Sequence, residues 1–231
     1  MLKPAISANL PCRPTRSNVR VMTRDDAEGS SETASDLTGR QRAVLIGTLL
    51  GDGCLAKHGR HSRLHVKHKS EHRALAEFKR STFIDYVTMP LHEFDQRLGN
   101  RRYPCVQFAT RTHRVFSEWR ERFYGTGRKA VPPDVADLLS PLAIAVWFMD
   151  DGAADHFGAT FQTHSFTEGE VHVLGRALRE RFDLVVRPRG NRGATIIYVP
   201  ASGMSRLQEI VGPHVLPELA YKLTPRHLRT P

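Results

Sequence analysis

The sequence predicts an α+β fold of two pseudo-symmetric halves, each running helix, strands, helix, hairpin, helix. Three observations lead there. Two apolar runs, LIGTLLGDG (Leu45 to Gly53) and IAVWFMDDG (Ile144 to Gly152), lie far apart, yet both stop at an Asp-Gly pair. The segments after each run repeat one order of elements, as a divergent internal duplication would. Each half also places arginines around a glycine-containing hairpin turn.

The chain opens with Lys3, Arg13, Arg16, Arg20 and Arg24 and no acid before Asp25; DDAEGSSETASD then carries it to Asp36. Such a stretch buries too little apolar surface to order itself. Residues 1–36 are therefore expected to be a disordered tail. Its Arg-rich start fits an organelle transit peptide and fits an untargeted basic tail equally well.

The first half is expected over 37–130. Thr38-x-x-Gln41 has capping-box spacing and opens the first helix; Asp52-Gly53 supplies a stop, with glycine free to turn left-handed. Arg63 to Lys67 alternates with period two, so Leu64 and Val66 face a core while Arg63, His65 and Lys67 face away. Ser70 caps an amphipathic helix carrying Leu75, Phe78 and Phe83. Gly99-Asn100 turns a hairpin whose return strand is Tyr103 to Thr110, and a helix over His113 to Tyr124 follows.

The second half is expected over 131–224, with 225–231 as a short tail. Ser140 as N-cap and Pro141 at the first helical position start its apolar helix. Trp147, Phe148 and Met149 leave that helix almost no polar face, so it must be buried. Thr160 to Ser165 reads as a strand. Thr167-x-x-Glu170 is a second capping box, opening a helix with Val171, Leu174, Leu178 and Phe182. Leu184 to Arg189, the turn Gly190 to Gly193, and Ala194 to Val199 form a hairpin; Met204 to Val211 is the last helix.

Charge narrows the partner. With 34 Lys and Arg against 24 Asp and Glu in 231 residues, the net charge is +10, which suits a polyanion such as nucleic acid. Arg63, Lys67, Arg101, Arg102, Arg187, Arg189 and Arg192 lie on or beside the predicted strands, where cations can meet the phosphates and edges of a groove. Cys12, Cys54 and Cys105 form no CxxC pair, which argues against a zinc ribbon or disulfide framework. No apolar run is long enough to span a bilayer. His61, His65, His68 and His72 have superficially metal-like spacing, but period two sends His65 and His68 to opposite faces, so no zinc site is expected.

Leu45–Gly53 resembles the first copy of the signature of the LAGLIDADG homing endonucleases, and Ile144–Gly152 resembles the second. The segments FYGTGRKAVPPDV, LLSPLAIAVWFMDDG, QTHSFTEGEV and ELAYKL are similar, in order, to one branch of that family, and the resemblance spans about Leu37 to Thr224. It implies an αββαββα half on each side, with antiparallel, saddle-shaped sheets over the DNA major groove. The two signature helices would pack at the centre, their terminal acids meeting at the cleavage site. Gly47 and Gly51 would admit the partner helix closely; Val146 and Asp150 stand at the corresponding places, so the packing would be asymmetric.

The resemblance also implies the chemistry. Adjacent carboxylates are costly unless neutralised, and Asp52 and Asp151 would hold Mg²⁺ (or Mn²⁺), a hard ion suited to oxygen ligands. Lys129 and Lys222 would be the basic residues of the two active sites. Asp150, His65 and His164 are secondary candidates. The implied protein is a monomeric, site-specific double-stranded DNA endonuclease that promotes intron or intein mobility. Two other readings use the same scaffold: a maturase bound to structured intron RNA, and a DNA-binding relic that does not cleave. The expected location is the cytoplasm, at the nucleoid, for a bacterial or phage protein, and a mitochondrion or chloroplast if the tail is a transit peptide.

Overall fold

The computed structural model describes residues 37–228; the expected tail 1–36 and residues 229–231 lie outside them. The first half begins with α1 (Gly39–Leu50). Thr38 Oγ1 accepts from the Gln41 amide and Gln41 Oε1 accepts from the Thr38 amide, both at 3.1 Å. There follow β1 (Cys54–His58), β2 (His61–Lys69), α2 (Arg73–Thr82), β3 (His92–Leu98), β4 (Arg101–Ala109) and α3 (Arg114–Tyr124). A single-turn helix, α4 (Val135–Leu138), leads to the second half. Its elements are α5 (Pro141–Asp151), β5 (Gly152–Ala154), β6 (Ala159–Phe161), α6 (Glu168–Phe182), β7 (Arg187–Asn191), β8 (Ala194–Val199) and α7 (Ala201–Val211).

Both halves therefore run αββαββα. Their antiparallel sheets share one strand order, β1-β2-β4-β3 and β5-β6-β8-β7. The fold class expected from the sequence is the fold found. Helices cover one face of each sheet. Along β2, Ser62, Leu64, Val66 and His68 are buried, while Arg63, His65 and Lys67 lie on the other, half-open face.

Several local expectations are corrected. The strand predicted for Thr160 to Ser165 stops at Phe161, because Thr163 donates its hydroxyl to the Thr195 carbonyl at 2.8 Å and the chain turns into the α6 capping box. β7 continues to Asn191, which moves the hairpin turn to Arg192-Gly193. Both turn residues have positive φ, 51° and 80°, as the favoured two-residue hairpin requires. A 3-10 turn, Ser70–His72, precedes α2 in place of a Ser70 cap. Residues of the expected C-terminal tail are held down: Arg226 and His227 donate backbone N–H groups to the Asp155 and His156 carbonyls. Cys105 is free and buried.

The core runs through both halves, with α1 and α5 at its centre. Val44, Leu45, Ile46, Leu49 and Leu50 of α1 are buried, as is every α5 residue from Ala143 to Asp150. Trp147 and Phe148 pack on Phe161 with ring centroids 4.5 and 5.1 Å away. Side chains of this size contribute about 1.5–3 kcal/mol each on full burial, so α5 is strongly held on its own sheet. Among the described residues no helix is long and apolar enough to cross a membrane.

Candidate active site

Gly47 of α1 and Gly51, its C-cap, make room for the close approach of α5. A Cβ on Gly47 would lie 2.4 Å from the Ala143 carbonyl oxygen and 2.7 Å from Val146 Cβ; one on Gly51 would lie 2.5 Å from both Cβ and Oδ2 of Asp150. This interlock brings the two helix ends side by side. The exits do not use left-handed glycines, contrary to the sequence expectation: neither Gly53 nor Gly152 has positive φ. Glycine is required there by crowding. A Cβ on Gly53 would meet Thr48 Cγ2 at 2.2 Å, and one on Gly152 would meet the Phe148 carbonyl oxygen at 2.3 Å. The backbone thus folds straight from each helix over its own last turn into β1 or β5.

Asp52, in the turn after α1, is exposed, and Asp151, the last residue of α5, is half-buried. Their charges act on one another. Asp151 is held well above the ordinary carboxylate range, by burial first and then by repulsion from Asp52 and Asp150; Lys129 and Lys222 partly offset this. Burial also depresses both lysines against the attraction of these three acids, Lys129 to about 8 and Lys222 in the same direction. The centre is thus short of positive charge at Asp151.

The lysines are tied to the helix ends. Lys129 Nζ donates to the Gly51 and Gly53 carbonyls at 2.6 and 3.0 Å, on either side of Asp52. Lys222, in the 3-10 helix Pro217–Leu223, donates to the Met149 and Asp150 carbonyls at 2.5 and 3.2 Å, just before Asp151. Each cation satisfies carbonyls at a helix C-terminus that would otherwise be orphaned, and it opposes the negative end of the dipole. Two lysines, one from the segment after α3 and one from the segment after α7, therefore occupy matching places beside two acids.

Asp150 is placed differently from its neighbour. Its side chain is fully enclosed, and both its oxygens lie 2.6 Å from Lys79 Nζ. Lys79 comes from α2 of the other half. His68 Nε2 completes the group, 3.3 Å from that ammonium and 3.7 Å from Asp150 Oδ1. The sequence reading missed Lys79, although its spacing was a signal: four residues after Leu75 and four before Phe83, it falls on the apolar stripe of α2.

The candidate histidines divide. His65 lies on the open face of β2, its pKa lowered by burial and by Arg63 and Lys67, with a hydrogen bond to Gln107 opposing the shift. His68 points to the opposite, buried face. His164 is not on a strand but in the turn after β6, with a buried Nδ1 that has no hydrogen-bond partner. The position beside Asp151, one residue past the end of β6, belongs to Gln162, which the sequence reading also missed. Its backbone N–H donates to the Asp151 carbonyl at 2.9 Å, and its side chain donates to Thr160 Oγ1 and accepts from Asn191.

Strand register sorts the basic residues. Lys67 pairs with Gln107, and counting along β4 puts Arg101 on that same open face with Arg63 and His65. Arg102 falls on the opposite face, with Val106 and Phe108. In the second sheet Arg187 and Arg189 share the open face with Thr160 and Gln162, and Arg192 is in the turn. Arg189 is anchored: it donates to Asp155 Oδ2 at 2.5 Å and stacks over Tyr198 at 4.3 Å.

Known proteins are similar to this chain in sequence and fold. Residues 42–207 match the LAGLIDADG DNA endonuclease family. A protein named probable intron-encoded endonuclease 1, from Wickerhamomyces canadensis, is 28% identical over 195 residues, covering 79% of this chain and 83% of its own. A protein named cytochrome b mRNA maturase bI2, from Debaryomyces hansenii, is 27% identical over 188 residues, covering 78% and 72%. Among solved structures, the homing endonuclease I-WcaI bound to its DNA recognition sequence has a TM-score of 0.79 at 25% identity, covering 88% of this chain and 96% of that one.

Proposed function

The chain belongs to the LAGLIDADG DNA endonuclease family, and on that premise we propose a metal-dependent homing endonuclease that cuts both strands of a specific DNA site at the α1–α5 seam. One observation carries the proposal most: Asp52 just after α1 and Asp151 at the end of α5 lie at the ends of two interlocked helices, and Asp151 is pushed up by burial and then by its acidic neighbours, a repulsion that a cation would relieve. The donor set fits a hard divalent ion such as Mg²⁺. Among the described residues no group of three or more His, Cys, Asp and Glu is arranged to hold an ion, so phosphate and water oxygens would complete a coordination begun by the two acids. Bound there, Mg²⁺ would polarise the scissile phosphate and lower the pKa of the attacking water.

The protein's own groups do the rest. Asp52 and Asp151 each serve one strand. Lys129 and Lys222, fixed on carbonyls beside those acids, place an ammonium where negative charge builds on the phosphate. Arg63, Lys67 and Arg101 on one sheet, and Arg187, Arg189 and Arg192 on the other, engage the DNA on either side of the seam. Both acids come from one chain, which supports action as a monomer. The biological role proposed is mobility of an intron or intein.

The test is cleavage of a duplex selected by the protein from a randomised library. Mg²⁺-dependent linearisation is expected, and its loss in Asp52→Asn/Asp151→Asn with DNA binding kept. A relative named an mRNA maturase supports a second reading, in which structured intron RNA binds the same sheets. Splicing of a host intron that fails without the protein, with no DNA cleavage in Mg²⁺, would favour it.

A further inference from the structure

Between the two halves lies a charged group that the reading above leaves unused. Lys79 and Asp150 both have side chains sealed from solvent, and His68, beside them, is nearly so. Buried ion pairs are expensive to desolvate, and an apolar pair often serves stability as well. The pair is therefore weak evidence for stability, and its position asks for another reason. Asp150 immediately precedes Asp151, and Gly51 leaves the space that its carboxylate fills. Lys79 engages both oxygens of that carboxylate, and the side chain is sealed from solvent.

We infer that Lys79 is a positioning residue for the second-half acid: by clamping both oxygens of Asp150 it withholds that carboxylate from the centre, leaving Asp151 as the acid presented to metal and phosphate. The inference rests on the proposed role of Asp151. Without the ammonium, the Asp150 carboxylate would be left unpaired in the interior next to Asp151. It would seek water or a cation, and so compete with Asp151 for the ion. The first-half acid has no such neighbour, since Gly51 precedes Asp52. The effect should therefore be confined to one strand.

The experiment uses end-labelled DNA carrying a site selected by the wild-type protein, with each strand followed separately in Mg²⁺. Asp151→Asn identifies the strand that Asp151 serves. Lys79→Met should slow that strand at least tenfold more than the other, so nicked product accumulates. Lys79→Met/Asp150→Asn, which removes both charges, should return the strand ratio to within about threefold of wild type. Equal slowing of both strands by Lys79→Met, or a double variant as biased as the single, would overturn the inference. Folding is checked by thermal melting and by binding of the same DNA without Mg²⁺. If Lys79→Met does not fold, the double variant carries the test: a wild-type strand ratio supports the inference and a bias against the Asp151 strand refutes it. If Asp151→Asn slows neither strand, the role of Asp151 itself fails, whatever the Lys79 variants do.

Discussion

Gly51, which caps the end of α1, faces Asp150 of α5 so closely that any Cβ at residue 51 would overlap the carboxylate, at 2.5 Å from Oδ2. Lys79 holds that carboxylate from behind, so it cannot swing aside. Gly51→Ala should therefore destabilise by about 1–3 kcal/mol, the usual cost of overpacking a closed core. Urea denaturation measures it, and a variant as stable as wild type would show that the seam can give.

The Lys79–Asp150 pair predicts non-additive stability. Lys79→Met alone leaves a buried, unpaired carboxylate and should cost about 3–5 kcal/mol, whereas adding Asp150→Asn should recover most of that loss. A double-mutant cycle in denaturant reads the coupling; additive losses would mean the two groups do not act as a pair.

Asp151 predicts a pH effect of definite sign. Its folded-state pKa is raised above the unfolded value by burial and by Asp52 and Asp150. Its stabilising contribution is then full only below the unfolded value, about 3.9, and is lost as pH rises through the folded one. In metal-free protein Asp151→Asn should raise the melting temperature at neutral pH, the gain shrinking as pH falls toward 4. The same variant should lose stabilisation by Mg²⁺. A lower melting temperature at neutral pH would contradict the charge assignment.

Register predicts a contrast between adjacent arginines. Arg101 shares the open face of the first sheet with Lys67; Arg102 does not. Arg101→Ala should weaken DNA binding and lower the slope of log affinity against log salt by about 1, as loss of one phosphate contact does. Arg102→Ala should change neither by much. Fluorescence anisotropy across a salt series separates them.

What was legible in the sequence follows from the range of the forces involved. The caps at Thr38, Ser140 and Thr167 are local, so α1, α5 and α6 could be read from a few residues each. Period-two alternation placed Arg63, His65 and Lys67 on one face for the same reason. β5 and β6 have three residues apiece, too few to show alternation, and β6 ends where Thr163 bonds Thr195, far along the chain. The pairing of Gly152 with Phe161 makes Gln162, rather than His164, the neighbour of Asp151. Lys79 escaped notice because a lysine in an amphipathic helix usually lies on the solvated face. Its counter-ion, on a helix of the other half, is invisible to local pattern.

The most direct test of the central claim compares wild-type protein, Asp52→Asn, Asp151→Asn and the double variant on selected DNA, with each strand labelled. Each single variant should slow one strand far more than the other, the two affecting opposite strands. The double should lose about 10³-fold or more in rate while binding the DNA within a few-fold of wild type. Cleavage by the double variant at near the wild-type rate in Mg²⁺ would show that the acids at the α1–α5 seam are not the catalytic pair.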